Sequence, residues 1–247
     1  MSQTPRVWRK FTVKSKDGEL KLRIQDMPSD RLDDLNDIFL KYFVTEETSH
    51  KAAGIHKSEE ALAESREVFV TDVSTDIAKS PHKLIIIICC LDEDPEVVGE
   101  IIGASMTIVV KKDDPEEDMN FTDKKTKTKE VAALFAIIDI LFSKYDVMKD
   151  LNLDSFLDDR GVVINPKYRG LGIAQMFFNV RRQICHNLGI PLTGAWMTSA
   201  GSQKAAARDG WETVFEIPYE EFGKEAGVVF EDVPPSCKFM TAKPLSI

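Results

Sequence analysis

The chain has 247 residues, and its 32 basic and 41 acidic side chains give a net charge of −9. This length suits one large domain or two small ones. The acidic balance argues against general nucleic-acid binding, which needs a basic surface, and is compatible with a cationic substrate. The four cysteines form no CxxC pair and no His/Cys metal spacing. We therefore predict buried free thiols in a reducing compartment and no metal site.

The sequence shows no pattern typical of secretion or membrane insertion. Residues 1–11 lack an apolar signal core. The longest apolar run, residues 84–91, is far too short to span a bilayer. We therefore predict a cytoplasmic protein that does not act at a membrane.

The chain begins with a strand pattern that changes to a helix pattern. Residues 8–13 and 20–24 alternate apolar and polar side chains around a turn signal at 16–19, which predicts a β-hairpin. Ser29 is the predicted N-cap of the first helix. The apolar face of that helix comprises Leu32, Leu35, Ile38, Phe39, Tyr42 and Phe43. Residues 44–50 follow as a predicted polar stretch.

A second helical region and a strand pair come next. Ser58 predicts the start of a helix that continues to about residue 69, and a separate helix is expected at 72–79. Residues 83–91 and 98–110 are rich in β-branched side chains and predict a central antiparallel pair.

The second half of the chain completes an α/β pattern. Residues 111–130 hold six lysines and seven acids, and these nearly balanced charges predict a solvated loop. An amphipathic helix is predicted at 131–145. Later elements are a strand at 191–197, a helix at 199–208, a strand at 211–219 and a last edge strand at 239–243. This order predicts one α/β domain over residues 1–247, with a mixed sheet of six to eight strands.

Residues 161–189 are the most informative stretch. The β-branched run 162–164 predicts a buried strand. Gly170 and Gly172 then permit a turn whose backbone amides point at one spot, at the positive end of the next helix, so the turn suits a phosphate or pyrophosphate. The predicted helix ends at Gly189. Its buried stripe comprises Ile173, Phe177, Val180, Ile184 and Leu188.

The turn matches neither of two common phosphate motifs. A P-loop requires Gly-Lys-Ser/Thr after four spacer residues, where Ile173 and Ala174 stand. A dinucleotide fingerprint requires a third glycine where Gln175 stands. What remains is Arg-x-x-Gly-x-Ala after a strand, formed by Arg169, Gly172 and Ala174.

That string resembles the acetyl-CoA-binding signature of the GNAT N-acetyltransferases. The resemblance implies a GNAT-like, mostly antiparallel sheet flanked by helices, splayed after the strand that precedes the glycine turn, with acyl-CoA in the resulting V. It implies acetyl-CoA as co-substrate and no metal. The implied acetyl-CoA contacts are Val162, Val163, Ile164, Arg169, Gly170, Leu171, Gly172, Ile173 and Ala174.

Two further segments resemble the insect-type arylalkylamine N-acetyltransferases. Residues 42–48 are similar to an aromatic-aromatic-x-x-acid-Glu-Pro segment, with Thr48 in place of the proline. Residues 198–211 are similar to a Ser-rich turn and a helix ending in Leu-Gly-Phe, with Asp209 and Trp211 as departures that we expect to change the pocket near the acceptor. The resemblance implies Glu47 as general base, Thr198 and Ser202 as hydroxyls near the thioester and amine, and Tyr42, Phe43 and Glu46 as substrate contacts.

The chemistry of amine acetylation explains why a general base and a hydrogen-bond donor to the oxyanion are needed. An alkylamine has a pKa of about 10.4, so at neutral pH it is protonated and must lose a proton to attack a thioester. Enclosure by Tyr42 and Phe43 is expected to raise the pKa of Glu47 toward a useful range. A backbone N–H at or near Ile164 is expected to stabilise the oxyanion.

Each assignment has an alternative. Glu47 could be a solvated loop acid, with Glu46 or His50 acting as the base instead. Thr198 and Ser202 could simply cap the helix that follows them. Cys185 is expected in the core, so we predict direct transfer in a ternary complex rather than an acyl-cysteine.

The first functional hypothesis is an acetyl-CoA-dependent N-acetyltransferase for a small arylalkylamine of the dopamine, serotonin or tryptamine type. The alternatives are an enzyme of the same fold for a polyamine-like amine or a longer acyl-CoA, and an acyl-CoA-binding relative without catalysis. We expect a small amine as partner, no nucleic acid, and a monomer or weak dimer.

Overall fold

An eight-stranded sheet spans the chain in the computed structural model, which describes residues 5–80, 82–114 and 124–245. The strands are β1 (Val7–Ser15), β2 (Gly18–Asp26), β3 (Leu84–Leu91), β4 (Ile101–Lys111), β5 (Ser155–Ile164), β6 (Thr193–Met197), β7 (Glu212–Pro218) and β8 (Ser236–Ala242). Their order is β1-β2-β3-β4-β5-β6-β8-β7, and only β5 and β6 pair in parallel. The predicted mixed, mostly antiparallel sheet is confirmed.

Helices cover both faces of this sheet. They are α1 (Leu32–Ile38), α2 (Val44–Glu46), α3 (Thr48–Ala52), α4 (Glu59–Lys79), α5 (Lys129–Ser143), α6 (Val147–Asp150), α7 (Ile173–Leu188), α8 (Ala200–Arg208) and α9 (Tyr219–Ala226). A π-helical turn, Phe39–Phe43, connects α1 to α2. The residues predicted as a polar stretch at 44–50 are therefore helical, except at Glu47, where the backbone is extended.

Several predicted boundaries were wrong. Residues 59–79 form one helix rather than two, capped by the Ser58 hydroxyl as predicted. Ser29 begins a 3-10 turn and makes no cap hydrogen bond. Helices α6 and α9 are too short to show a clear periodicity, and the sequence did not predict them.

The last strand lies inside the sheet rather than at its edge. Strand β8 pairs with β6 on one side and β7 on the other, so β7 is the edge. Strand order depends on contacts between distant segments, which residue periodicity does not encode.

Helix α7 packs on one face of the sheet through the predicted stripe. Phe177, Val180 and Ile184 are buried against side chains of β2, β3 and β5. Leu188 departs from the prediction, with 53% of its surface exposed, and Ile190 fills the core just after the Gly189 cap. On the opposite face, α1 and α4 pack against β3, β4 and Val163.

The sheet opens between its two parallel strands. Strand β5 pairs with β4 as far as Ile164, and β6 pairs with β8 as far as Met197. Between β5 and β6, however, only Leu157 with Thr193 and Asp158 with Gly194 are in register. Beyond Asp158 the two strands separate, which is the predicted splay.

The remaining predictions concern the cysteines, the charged loop, membrane helices and metal sites. All four cysteines are free and buried, as predicted. The middle of the predicted charged loop, residues 115–123, lies outside the described residues. Within the described ranges, no helix is long and apolar enough to cross a membrane, and no group of three or more His, Cys, Asp or Glu could hold a metal ion.

Candidate active site

The glycine turn presents open backbone at the start of α7. Gly170 and Gly172 have φ angles of 80° and 82°, a left-handed conformation that side chains rarely adopt, and no atom lies within 4 Å of where a Cβ would stand. The first amides of α7 have no acceptor within the helix, and the helix dipole adds positive potential there. The turn can therefore hold an anionic group in contact with backbone amides.

The edge of β5 next to this turn is also free to bind. The Asn165 N–H donates to Ile102 O on β4 (2.9 Å). Since amides alternate along a strand, those of Val162 and Ile164 point away from β4, into the opening toward β6. A ligand lying in the V can pair with these two amides.

A cavity of about 710 Å³ fills the opening between β5 and β6. Fourteen of the fifteen predicted site residues line it: Tyr42, Phe43, Glu46, Glu47, Val162, Val163, Ile164, Arg169, Gly170, Gly172, Ile173, Ala174, Thr198 and Ser202. Leu171 is the exception, because its side chain packs against the core beneath α7. The three segments quoted for the resemblance thus meet at one place.

Glu47 occupies the N-cap position of α3. Its Oε2 accepts hydrogen bonds from the Ser49 N–H (2.8 Å) and the His50 N–H (3.1 Å), and contacts His50 Nδ1 at 3.0 Å. Its Oε1 accepts a hydrogen bond from the Thr198 hydroxyl (3.0 Å). Only 13% of the side chain is exposed, so Glu47 is an ordered, buried carboxylate and not a solvated loop acid.

The expected rise in the pKa of Glu47 was wrong. Burial does act to raise this pKa, but the hydrogen bonds and charge of His50, together with the Thr198 hydroxyl, lower it further than burial raises it. The net pKa lies below the ordinary value of a glutamate. Glu47 is therefore ionised at neutral pH.

Thr198 is held from both sides. Besides donating to Glu47, it accepts hydrogen bonds at its backbone oxygen from the Tyr219 hydroxyl (2.6 Å) and the Thr48 hydroxyl (3.3 Å). Thr48 thus connects the Glu47 segment to the end of β6. The hydroxyl of Thr198 does not cap α8, since Ser199 is the N-cap.

Glu46 and Ser202 have other partners. Glu46 forms an ion pair with Arg169 (2.6 Å), whose Nε also donates to Ile164 O (3.0 Å). Ser202 belongs to a capping box at the start of α8, in which its hydroxyl oxygen accepts from the Ser199 N–H (3.3 Å), and its hydroxyl also donates to Ser199 O (2.9 Å). Of the two neighbouring glutamates, Glu46 is therefore paired with a cation and Glu47 contacts Thr198, and the predicted capping alternative is confirmed for Ser202.

Several cavity residues were not predicted. Asp158, Asp159 and Arg160 on β5 line it, as do Ile138, Leu141, Phe142 and Trp196. Burial raises the pKa of Asp158 to about 6, against the lowering effect of Arg160. The signal available in the sequence was a charged Asp-Asp-Arg triplet between two apolar runs, which indicates one strand with a buried polar centre.

Other candidate residues lie elsewhere. Asp209 and Trp211 do not line the cavity, contrary to expectation: Trp211 packs against Phe178, and Asp209 accepts a hydrogen bond from Asn179 (2.9 Å). Cys185 is in the core as predicted, and burial raises the pKa of its thiol to about 12, which excludes a ready thiolate.

Solved structures with the same fold include several N-acetyltransferases. A putative arylalkylamine N-acetyltransferase 7 from the yellow fever mosquito Aedes aegypti is 23% identical, with a TM-score of 0.79 over 98% of this chain and 96% of its own. Arylalkylamine N-acetyltransferase 2 from the same mosquito is 16% identical, with a TM-score of 0.71 over 90% and 98%. A Drosophila melanogaster polyamine N-acetyltransferase that forms N-acetylagmatine is 16% identical, with a TM-score of 0.67 over 90% and 99%. No protein-family model matches the sequence. These similarities confirm the GNAT-like fold.

Proposed function

We propose that this protein is an acetyl-CoA-dependent N-acetyltransferase that acetylates the primary amine of a small arylalkylamine. The observation that carries the proposal is the Glu47–Thr198 contact inside the cavity between the splayed strands. It places an ionised carboxylate beside the open strand edge and the glycine turn. The arylalkylamine and polyamine N-acetyltransferases that share the fold support this choice of reaction.

The residues present fit acetyl-CoA. The open backbone at Gly170 and Gly172 and the first amides of α7 suit the pyrophosphate. The outward amides of Val162 and Ile164 suit an extended, amide-containing chain lying in the V, and one of them can stabilise the oxyanion. When bound, acetyl-CoA supplies a thioester carbonyl as the electrophile.

Glu47 has two roles in the proposed mechanism. As a buried carboxylate, it attracts the ammonium form of the amine. Since its pKa is low, it is a poor base toward the free ammonium ion, whose pKa is about 10.4. The bound ammonium first loses one proton to water to give the minor free-amine form, and we place proton acceptance by Glu47 at the next stage, where the nitrogen bonds to the carbonyl carbon and its second proton becomes far more acidic. His50 contacts the same oxygen of Glu47 and offers the proton a route away.

Thr198 and Ser202 provide hydroxyls on the β6 side of the cavity. Thr198 orients Oε1 of Glu47. Ser202 passes a proton to the leaving thiolate once its hydroxyl rotates away from Ser199 O, and it regains a proton from water. Transfer is direct, since Cys185 is buried away from the cavity.

Paired serine variants test the role of Ser202. Ser202→Ala and Ser199→Ala each break the capping box and should lower the free energy of unfolding by about 1 kcal/mol. Only Ser202→Ala should also lower kcat, by about 100-fold, at the low end of general-acid catalysis. Thermal melts and steady-state kinetics measure both effects. Equal kcat values for the two variants would show that Ser202 only caps the helix.

The proposed function itself is tested by thiol release from acetyl-CoA across tryptamine-, phenylethylamine- and polyamine-type acceptors. We expect turnover with the aryl amines. Thiol release with linear polyamines alone would support the acetyl-transfer reaction but would show that the acceptor is a polyamine and not an arylalkylamine. No release, with thermal stabilisation by acetyl-CoA, would identify a binding protein without this catalysis.

A further inference from the structure

Asp158 lines the cavity between the splayed strands. Its neighbour Asp159 faces α7, where it pairs with Arg181, and Leu157 packs with the α7 core. Because side chains alternate along a strand, Asp158 points to the opposite face, toward the cavity residues of α5. Those residues are Ile138, Leu141 and Phe142.

Asp158 and Glu47 lie at different ends of this cavity. Asp158 is in register with Gly194 on β6. Thr198, the residue that binds Glu47, lies four positions beyond Gly194, about 13 Å along the strand direction. Since both side chains reach into the cavity, an amine several bonds long can contact both carboxylates at once.

The carboxylate of Asp158 has hydrogen-bonding capacity left for a ligand. It is 6% exposed, a backbone hydrogen bond from Asp159 acts on it, and the one ion pair found for it among the described residues is with Arg160, at 3.5 Å. An ionised carboxylate offers about four acceptor positions. Burial disfavours its charge, so a donor that enters the cavity and bonds to it gains more than it would at the surface.

We propose that Asp158 determines acceptor specificity by binding a hydrogen-bond-donating group at the end of the amine remote from the reacting nitrogen. The group is either a second cation, as in a diamine, or a phenolic hydroxyl, as in a hydroxylated arylalkylamine; a carboxylate accepts from both. This inference rests on the proposed function for the identity of the reacting amine.

Two matched pairs of amines test the inference. Phenylethylamine is compared with its para-hydroxy derivative, and n-butylamine with 1,4-diaminobutane, so that each pair differs by one donor group. At pH 8, we expect the wild-type protein to favour the donor-bearing member in at least one pair by about tenfold or more in kcat/KM. Asp158→Asn should abolish that preference through KM while turnover of the other member stays within about threefold. The pair that shows the effect identifies the donor as cation or phenol.

The control variant is Asp154→Asn, which changes an exposed aspartate just before β5 that does not line the cavity. It should keep the wild-type preference. The amine-induced shift in melting temperature is measured for the same pairs, because it reports binding without turnover. A donor-dependent shift that Asp158→Asn removes would support the inference even if no acetyl transfer occurred. Unchanged preferences in Asp158→Asn, or equal losses for both members of each pair, would overturn it.

Discussion

Glu47→Gln is expected to lower kcat/KM for the amine by about 10²- to 10⁴-fold, the range typical of a general base. Glutamine keeps an oxygen that can accept from the Ser49 and His50 amides, so α3 keeps its cap and the fold is little disturbed. The substitution removes the negative charge that attracts the ammonium and the group that accepts its proton. Steady-state kinetics with the best acceptor, and the thermal shift produced by acetyl-CoA, measure the two effects separately. The acetyl-CoA shift should equal that of the wild type, because the glycine turn is unaffected.

The control for this prediction is Glu46→Gln, one residue away. Glu46 is bound to Arg169 near the surface, and its loss should change kcat/KM only a few-fold. If Glu46→Gln caused the large loss and Glu47→Gln did not, the base would be Glu46. If neither variant lost activity, His50, which contacts Glu47, would be the next candidate base to test by substitution.

The pH dependence of activity offers a second check on Glu47. Its folded-state pKa is lowered, so the carboxylate stays ionised as pH falls until below the ordinary range of a glutamate. If the activity of the wild-type protein falls between pH 8 and pH 6, the same fall should therefore occur in Glu47→Gln, because a group other than Glu47 causes it. The stability that ionised Glu47 provides is present above the unfolded-state pKa of about 4.3 and is lost as pH falls through the folded-state value.

The sequence was sufficient to predict those elements whose stabilising contacts lie close together along the chain. The glycine turn and helix α7 were predicted because their signals are local: a β-branched run before the turn, glycines within it, and helical periodicity that ends at Gly189. Together with residues 42–48 and 198–211, this stretch carried the resemblance, and fourteen of the fifteen site residues that it implies line one cavity. The hairpin of β1 and β2 was predicted for the same reason.

The environment of Glu47 could not be derived in this way. Its low pKa depends on Thr198, which is 151 positions away, and on a helix start that its own side chain creates. The aromatic neighbours whose enclosure raises the pKa are adjacent in the sequence, whereas the partners whose hydrogen bonds lower it are set by the fold. The first half of β5 was missed for a related reason: Asp158, Asp159 and Arg160 are typical of a loop unless a buried cation from another element neutralises them.

That cation is Arg181, and Arg181→Met is expected to cause the largest loss of stability. Arg181 is fully buried on α7; its Nη2 lies 2.5 Å from Asp159 Oδ1 and its Nε donates to Ser105 on β4 (3.0 Å). Methionine fills much of the same space but leaves Asp159 without its charge partner. We expect a loss of about 3 kcal/mol, which corresponds to a fall in melting temperature of roughly 6–12 °C. Denaturant and thermal unfolding measure the two quantities.

The cause of that loss can be separated from simple truncation. Arg182→Met changes the next residue of α7, which donates hydrogen bonds to backbone oxygens of Asp209 and Lys243 near the surface. This substitution should lower the free energy of unfolding by only about 1 kcal/mol.

The loss of stability caused by Arg181→Met should also depend on pH. With the cation gone, ionised Asp159 has no charge partner, so the deficit should be largest at neutral pH and should shrink as pH falls into the range where carboxylates are protonated. Adding Asp159→Asn should restore part of the stability at pH 7, since the uncompensated charge is then removed. A deficit that is the same at pH 4 and pH 7, and that Asp159→Asn does not reduce, would mean that packing rather than charge holds α7 against the splayed strand.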